Sequence, residues 1–267
     1  MLERVSFAYP ESPPVLRDLS LCVARGEQVA ILGANGSGKS SLLRLLDALV
    51  YPSAGRFVAF GEEVTEAALR DQETSRRFRR RVGLVFQNAD AQLFCPTVRE
   101  DLAFGPLQLG LSPAEVERRV ADVAAMLGMG ALLDRAPFHL SGGEKRKAAI
   151  GGVLAANPDV LLLDEPTSGL DPRSQWWLVE TLQALGRAGK TIVLATHDLE
   201  LVPLVTSRAV ILGEDHALLA DAEPEALLGD RDLLLGANLI HAHSHRHGTI
   251  EHVHTHHHAG DHAHEHD

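Results

Sequence analysis

Short apolar runs recur along the chain, and longer stretches of mixed polarity separate them. Four of these runs are rich in valine, leucine and isoleucine and are predicted to be strands: residues 27–32, 82–86, 160–163 and 191–195. A strand that is apolar on both faces is typical of a parallel sheet with helices on each side. The pattern therefore predicts an α/β fold built on a mostly parallel sheet.

One of the intervening stretches carries clear helix signals, from Ser112 to Gly128. Ser112 is a favourable N-cap, Pro113 follows at the first helical position, and Glu115 stands where it would complete a capping box. Apolar residues then recur at helical spacing as far as Leu127. We expect a helix here that ends at Gly128.

The charge balance excludes some classes of function. Among 267 residues, 25 are Lys or Arg and 36 are Asp or Glu, which gives a net charge of −11. So acidic a chain is a poor general binder of nucleic acid, and no nucleic-acid partner is expected. Two cysteines are too few for a disulfide framework and fit a reducing compartment. The longest apolar stretch, residues 148–156, is too short to span a membrane.

The histidines are distributed very unevenly. Only three of the 15 precede residue 240, and the other 12 lie between His241 and His266. A segment with so few apolar residues has little with which to form a core, so residues 241–267 are predicted to be disordered when unbound. The predicted organisation is a folded domain over residues 1–230, a join at 231–240 and this histidine-rich segment.

The first motif with a clear chemistry follows the strand predicted at residues 27–32. It reads Gly33-Ala34-Asn35-Gly36-Ser37-Gly38-Lys39-Ser40. This is the G-x-x-x-x-G-K-[ST] pattern, and it lies between a strand and a helical run, as a phosphate-binding loop requires. Its glycines let several backbone N–H groups converge on an anion, and the helix N-terminus adds a positive dipole. We expect Lys39 to neutralise the β- and γ-phosphates and Ser40 to bind Mg²⁺.

A second motif ends the strand predicted at residues 160–163. The apolar run leads into Asp164 and Glu165, and would deliver both carboxylates to the phosphate side of the sheet. Asp164 is expected to hold the Mg²⁺ shell, and Glu165 to polarise the attacking water as general base. Such a strand end alone is weak evidence, but it gains weight beside the phosphate loop.

A third motif, Leu140-Ser141-Gly142-Gly143-Glu144, precedes Asp164 by about twenty residues. It resembles the LSGGQ signature of ABC ATPases, and Ser141 is a plausible N-cap there. The resemblance implies a P-loop NTPase core with an antiparallel β edge and a helical subdomain over about residues 88–155. It also implies a dimer, with ATP bound between the phosphate loop of one subunit and Ser141 and Gly143 of the other.

Further residues match the family in chain order. Gln87 resembles the Q-loop glutamine, implied to sense Mg²⁺ and water, and Ser168-Gly169-Leu170-Asp171 resembles the D-loop. His197 resembles the switch histidine at the γ-phosphate. Tyr9 stands where the family stacks an aromatic ring on adenine, although a packed edge-strand tyrosine is the alternative. Ser41 departs slightly from the threonine of many relatives.

The type of ABC ATPase is indicated by the stretch after Gln87. Residues 85–94 read VFQNADAQLF, and residues 97–106 read TVREDLAFGP. They resemble the ATPases of energy-coupling-factor transporters, which import vitamins and transition-metal ions. The short spacing between Gln87 and Ser141 leaves no room for the long coiled coil of DNA-repair relatives. The resemblance implies a peripheral subunit at the cytoplasmic face of the membrane. It would pair with itself or a paralogue and bind integral membrane subunits.

The histidine-rich segment points to a cargo. Neutral imidazoles bind Ni²⁺, Co²⁺, Zn²⁺ and Cu²⁺, so the segment is expected to buffer or sense a transition metal. A purification tag and a solvated tail without a metal role are the alternatives. The candidate ligands are His241, His243, His245, His247, His252, His254, His256, His257, His258, His262, His264 and His266.

The sequence thus predicts an ATP- and Mg²⁺-dependent ATPase that powers import of nickel or cobalt. Two alternatives stay open. One is an ABC importer of another cargo, such as a vitamin. The other is a non-transport ABC ATPase that stores metal on its histidine-rich segment.

Overall fold

The structure is a computed structural model that describes residues 1–247 and 250–257, with side chains as far as residue 240. Its strands are β1 (Leu2–Ala8), β2 (Pro14–Leu21), β3 (Gln28–Leu32), β4 (Ala54–Ala59), β5 (Glu62–Glu63), β6 (Val82–Val85), β7 (Val160–Asp164), β8 (Thr191–Ala195), β9 (Arg208–Leu212), β10 (Leu218–Ala222), β11 (Ile240–His247) and β12 (Ile250–His257).

Its helices alternate with the strands over most of the chain. They are α1 (Lys39–Leu46), α2 (Glu66–Leu69), α3 (Gln72–Arg79), α4 (Val98–Gln108), α5 (Pro113–Met126), α6 (Gly142–Ala155), α7 (Pro172–Arg187), α8 (Val202–Val205), α9 (Pro224–Gly229) and α10 (Arg231–Gly236). None of the helices among the described residues has both the length and the apolar content that crossing a bilayer requires.

The central sheet has six strands in the order β10-β9-β3-β8-β7-β6. All neighbours except β10 and β9 are parallel. All four strands predicted from apolar runs lie in it, as β3, β6, β7 and β8, so the prediction of a mostly parallel sheet is confirmed. Parallel strands present their carboxyl ends at one edge, and functional loops collect there.

Successive residues of the central strands face opposite sides of the sheet. On β3, Val29 and Ile31 belong to one buried cluster, whereas Ala30 and Leu32 belong to another. The first cluster lies between the sheet and α1 together with β1, β2 and β4. The period of two explains why the strands are apolar throughout, since both faces are covered.

The antiparallel strands near the N-terminus form a sheet of their own, in the order β2-β1-β4-β5. The sequence predicted only an antiparallel edge here. Between β6 and β7 the chain is helical: α4, α5 and α6 all lie within residues 88–155, the range expected for a helical insertion.

The helix expected from Ser112 to Gly128 is α5, with one difference at its start. Ser112 accepts a hydrogen bond from the Glu115 backbone N–H at 3.4 Å, so it is the N-cap. The predicted capping box is wrong, because the Glu115 carboxylate accepts hydrogen bonds from Arg118 and Arg119 instead. A charge-assisted pair with guanidinium competes well with a backbone amide.

The last part of the chain departs from the predicted organisation. Residues 231–240, expected to be a join, contain α10 and the buried Leu239 and Ile240. The histidine-rich segment, expected to be disordered, contains β11 and β12 paired antiparallel. Histidine alternates there with other residues, a period of two that strands accommodate. Residues 248, 249 and 258–267 lie outside the described residues, and with them His258, His262, His264 and His266.

Candidate functional site

The loop from Gly33 to Gly38 joins the carboxyl end of β3 to α1 and follows a tight path. Gly36 and Gly38 have φ values of 86° and 111°, in the region that favours glycine. A Cβ on Gly38 would clash with the carbonyl oxygen of Val15, and one on Gly33 would lie 2.8 Å from that of Leu212. The glycines are therefore required by both conformation and packing, as a phosphate cradle needs.

Lys39 is the first residue of α1 and is only 6% exposed. Its ammonium donates to the carbonyl oxygens of Gly33 at 2.7 Å and Ala34 at 3.2 Å. It also lies 3.5 Å from Oε1 of Glu165. The cation is thus enclosed by the loop that it would serve, and a buried charge is tolerable because it is paired.

The hydroxyl of Ser40 donates to Oδ1 of Asp164, at 3.0 Å, and so joins the loop to the end of β7. Burial raises the pKa of Asp164 above its ordinary value; the Ser40 hydrogen bond opposes this effect and the neighbouring Glu165 charge adds to it. The Asp164 carboxylate is thus buried with too little positive charge around it. Together with the Ser40 hydroxyl it provides the hard oxygen donors that Mg²⁺ prefers. The residues present therefore fit the expected Mg²⁺.

Glu165 is held in a conformation that glutamate rarely adopts, with a φ of 43°. Its backbone N–H donates to the Ala195 carbonyl at 2.8 Å, which fixes the turn at the sheet edge. Its Oε2 accepts from the His197 backbone N–H at 3.3 Å and lies 2.9 Å from His197 Nδ1. Backbone strain of this kind often accompanies catalytic positions. The structure thus brings Lys39, Glu165 and His197 into one constellation.

Tyr9 lies beside the first turn of α1. Its hydroxyl is 3.3 Å from Ser41 Oγ and accepts a hydrogen bond from Arg44 at 3.0 Å. Its ring makes an edge-to-face contact with Phe7, at a centroid distance of 4.8 Å. Tyr9 is thus packed, which was the alternative that the sequence left open. Its position next to the phosphate-loop helix also suits contact with adenine.

Other predicted residues lie apart from this constellation. Ser141 is the N-cap of α6, as predicted, and forms a complete capping box with Glu144. Gly143 packs against the start of α7, since a Cβ on it would lie 2.5 Å from Ser174 Oγ. Among the described residues, no hydrogen bond joins Ser141 or Gly143 to the phosphate loop. Asn35 and Gln87 are exposed as well.

The backbone around Gln87 is held by residues that the sequence analysis missed. Arg146, on α6 and 4% exposed, donates to the carbonyl oxygens of Phe86 at 2.7 Å and Gln87 at 2.6 Å. Gln92 accepts from the Phe86 N–H at 3.0 Å and donates to the Ala149 carbonyl at 3.1 Å. The loop after β6 and the helix that begins at Ser141 are therefore tied together. No local signal marks these contacts, because they span about sixty residues.

A groove of about 210 Å³ opens beside this loop. Phe94 and Phe104 line it and are 64% and 41% exposed. Asp101 also lines it: its Oδ1 accepts from the Phe94 and Cys95 N–H groups, while its buried Oδ2 has no hydrogen-bond partner among the described residues. The two exposed aromatic rings give the groove an apolar surface that suits a docking segment.

Transition-metal ligands are not assembled in this part of the molecule. Where side chains are described, no three His, Cys, Asp or Glu residues come together as a metal site would require. The assembled residues therefore suit phosphate and Mg²⁺, and a carboxylate and a histidine lie beside them.

Comparison with known proteins agrees with this geometry. The family model described as ABC transporter matches residues 16–168, more than half of the chain. The chain therefore belongs to the ABC transporter family and is an ATP-binding subunit, an ATPase coupled to transport.

Three curated relatives are similar over most of the chain. A putative ABC transporter ATP-binding protein of Methanosarcina acetivorans is 54% identical over 99% of this chain and 97% of its own. An energy-coupling factor transporter ATP-binding protein, EcfA, of Methanothermobacter thermautotrophicus is 42% identical over 89% and 75%. The nickel import ATP-binding protein NikO of Rhodobacter capsulatus is 47% identical over 88% and 92%.

Two solved structures share the fold. cbiO1 of Clostridium perfringens, part of the ABC transporter complex cbiONQ, has a TM-score of 0.76 and 32% identity over 89% of this chain and 93% of that one. An ATP-binding cassette described as a dimer in a post-hydrolysis state, bound to ADP and phosphate, has a TM-score of 0.74 and 27% identity over 84% and 97%. The predicted α/β fold and the predicted family are confirmed.

Proposed function

We propose that this chain is the ATPase of an energy-coupling-factor importer that takes up nickel or cobalt. The observation that carries the ATPase assignment is the cluster of buried Lys39, Asp164 and Glu165 with the half-buried His197 at the carboxyl edge of the sheet. The stretch from Gln87 to Pro106 and the similarity to EcfA and NikO support the importer type.

The residues divide the work of hydrolysis between them. Lys39 and the N–H groups of the loop bind the β- and γ-phosphates, while Ser40 and Asp164 hold Mg²⁺, with Gln87 as a further ligand. Bound Mg²⁺ neutralises charge that develops on the phosphates. Glu165 accepts a proton from the attacking water. His197, beside Glu165, orients this carboxylate and contacts the γ-phosphate.

The signature residues act on the nucleotide of a second subunit. Ser141 is exposed and Gly143 is half-buried at the N-terminus of a helix of fourteen residues, where backbone N–H groups favour an anion. Among the residues that the structure describes, neither forms a hydrogen bond with the phosphate loop of its own chain. A dimer in which each signature covers the partner's phosphate loop gives them a ligand. Either a second copy or a paralogue fills that place.

The groove beside Phe94 and Phe104 is the proposed contact with an integral membrane subunit. The fitting partner is an amphipathic helix whose apolar face covers the two aromatic rings. Because Arg146 and Gln92 tie the adjoining loop to α6, docking there would act on the Gln87 loop and the signature helix together. The chain would then lie at the cytoplasmic face of the membrane.

The cargo is inferred from the histidine-rich segment and from the name of one relative. The alignment with the Methanosarcina acetivorans relative covers 99% of this chain and so extends into the segment, which argues against a purification tag. Imidazole-rich segments bind Ni²⁺, Co²⁺ and Zn²⁺. We propose that the segment binds the imported ion, either as a buffer or as a sensor.

The test is elemental analysis of cells grown in trace-metal medium with the intact chain, Glu165→Gln or the control Glu200→Gln. Glu200 is exposed and lies three residues after His197 in the sequence. All three proteins keep the histidine-rich segment, so sequestration by it is constant. We expect cellular nickel or cobalt to fall to background only with Glu165→Gln. Equal contents of every transition metal in the three strains would overturn the metal cargo and favour another one, such as a vitamin.

A further inference from the structure

The backbone of the phosphate loop at Ser37 is held by few contacts from the loop itself. The Ser37 N–H donates to the Ala34 carbonyl at 3.2 Å. The Ser37 hydroxyl is buried and has no hydrogen-bond partner among the residues whose side chains are described. The Ser37 carbonyl oxygen lies 3.2 Å from Nδ1 of His216, which is 179 positions away in the chain. Because a carbonyl oxygen only accepts, this contact requires a hydrogen on Nδ1, and it holds the loop from outside.

His216 is itself firmly held. It belongs to the turn between β9 and β10, residues 213–217. Its N–H donates to the Gly213 carbonyl at 3.0 Å, and its carbonyl accepts from the Arg17 N–H of β2 at 2.9 Å. Its φ is 66°, a conformation that residues other than glycine adopt uncommonly. A strained backbone that is fixed on both sides is typical of a position where the side chain has a function.

The geometry of the peptide bond connects this contact with the phosphate-binding groups. The peptide between Ser37 and Gly38 is trans, so the Ser37 carbonyl and the Gly38 N–H point in opposite directions. Since the carbonyl is directed at His216, the Gly38 N–H is directed away from the β9–β10 turn. Among the described residues, no backbone group accepts a hydrogen bond from this N–H. It is therefore available to an anion, the ligand that the N–H groups of such a loop bind.

The other contact that holds the loop comes from a group with a second task. The Lys39 ammonium donates to the carbonyl oxygens of Gly33 and Ala34, and it is also expected to bind the phosphates. An ammonium has only three donors, so a phosphate would compete with these carbonyls for it. His216 lies on another element and can keep its contact with the loop when a nucleotide is bound.

We propose that His216 is a positioning residue for phosphate binding, which orients the Gly38 N–H by holding the Ser37 carbonyl. The inference rests on the proposed binding of ATP phosphates by this loop. It goes beyond that proposal, because it assigns a role in nucleotide binding to a side chain of the β9–β10 turn. Such preorganisation strengthens binding, since the peptide is already ordered before the ligand arrives.

The experiment uses the full chain in excess Mg²⁺ and compares three ligands. KM and kcat are measured for ATP, and inorganic triphosphate and adenosine are titrated as competitive inhibitors. Inorganic triphosphate probes the phosphate loop, whereas adenosine probes the base site. His216→Gly removes the donor and suits the positive φ. His216→Asn also tolerates this φ and has an N–H donor the same number of bonds from Cα, so it is the rescue variant.

Glu214→Ala is the matched control within the same turn. Glu214 is exposed, and its Oε1 accepts from the side-chain amide of Asn238 at 3.0 Å, on the side of the turn away from Ser37. A change in Glu214→Ala as large as in His216→Gly would show that the turn acts as a whole. That result would overturn the role of the His216 side chain.

We expect His216→Gly to raise the KM for ATP and the Ki for triphosphate by the same factor, roughly three- to tenfold, the scale of one hydrogen bond. The kcat should change less than about twofold, since the donor binds the ground state and the transition state alike. The Ki for adenosine should stay the same. His216→Asn and Glu214→Ala should remain within about twofold of the unmodified chain in every constant.

The inference is overturned if His216→Gly leaves both phosphate constants unchanged, or if His216→Asn is impaired as much as His216→Gly. It is also overturned if adenosine binding weakens by the same factor as triphosphate binding, because the effect would then be a general disturbance of the fold. Failure of triphosphate to inhibit the unmodified chain would refute phosphate binding by the loop itself. The unmodified chain thus distinguishes a failure of the proposed function from a failure of the positioning role.

Discussion

Two regions of the site differ in how complete they are within one chain. We call them the phosphate-loop end, with Lys39, Asp164 and Glu165, and the signature end, with Ser141. Lys39, Asp164 and Glu165 are all at most 6% exposed, and they are joined by hydrogen bonds or ion pairs to one another or to the loop. Ser141 and Gln87 are exposed, and in the part of the chain with described side chains no hydrogen bond or ion pair joins them to that group. One end is assembled by the folding of a single chain, whereas the other is proposed to act on a nucleotide held by a second chain.

The difference has a physical cause. Buried charges are tolerated only when partners surround them, so the lysine and the carboxylates are fixed in pairs as the chain folds. Backbone N–H groups at a helix N-terminus need no such pairing, because water solvates them until an anion arrives. The chain can therefore hold a prepared half-site without the cost of an unpaired buried charge.

The largest expected effect comes from Glu165→Gln, which removes the base and keeps the shape of the buried end. Hydrolysis should fall by at least about a hundredfold, since general bases contribute that much or more. ATP binding should persist and the ATP-bound dimer should accumulate. Phosphate release and light scattering after gel filtration measure the two effects. Near-normal turnover would remove Glu165 from the role of base.

A smaller effect is expected from Arg146→Lys, at the boundary between the two ends. A lysine keeps the charge but has no rigid fork with which to hold the Phe86 and Gln87 carbonyls together. We expect kcat to fall about tenfold with little change in the KM for ATP, because the Gln87 loop shifts while the phosphate loop does not. Steady-state ATPase assays measure both parameters.

Lys145→Met is the control for Arg146→Lys. It removes the ion pair between Lys145, the neighbouring residue, and the exposed Asp90. Surface pairs contribute little, so its kcat should change less than twofold. A larger loss in Lys145→Met than in Arg146→Lys would show that the tie between the loop and α6 lies elsewhere.

The smallest effect concerns the stability of the buried end. Burial raises the pKa of Asp47, at the end of α1, from its ordinary value of 3.8 to about 7, and the Arg79 guanidinium only partly opposes this. Between these two pKa values, the Asp47 carboxyl group is protonated in the folded protein and ionised in the unfolded chain. The free energy of unfolding should therefore fall as pH rises from about 4 to about 7.

Asp47→Asn should remove that contribution to the pH dependence. We expect the variant to be more stable than the unmodified chain at pH 8 and nearly equal to it at pH 4, because only the unmodified chain must ionise a buried carboxyl group at pH 8. Urea unfolding at the two pH values measures the difference. The same pH dependence in both proteins would show that Asp47 is ionised throughout.

Local signals account for what the sequence predicted well. The phosphate loop, the strand that ends at Asp164 and the cap at Ser141 are each encoded by a few neighbouring residues, and the structure places them as expected. The contacts of Arg146 were not predictable, because nothing near residue 146 indicates that residues 86 and 87 lie beside it. Leu239 and Ile240 were assigned to a join, since their burial depends on β3 and β9, which are distant in sequence.

The central claim is that one ATP site is built from two chains, and a mixing experiment tests it directly. Lys39→Ala disables the phosphate-loop end, and Ser141→Arg disables the signature end. Each variant alone should be inactive. If the signature acts across the dimer, a mixed pair of the two contains one intact site, and ATPase activity should reappear on mixing, at about a quarter of the unmodified level for independent sites and random pairing. No activity in the mixture, with mixed pairs verified by differential tagging, would mean that both ends must lie in one chain and would contradict the account.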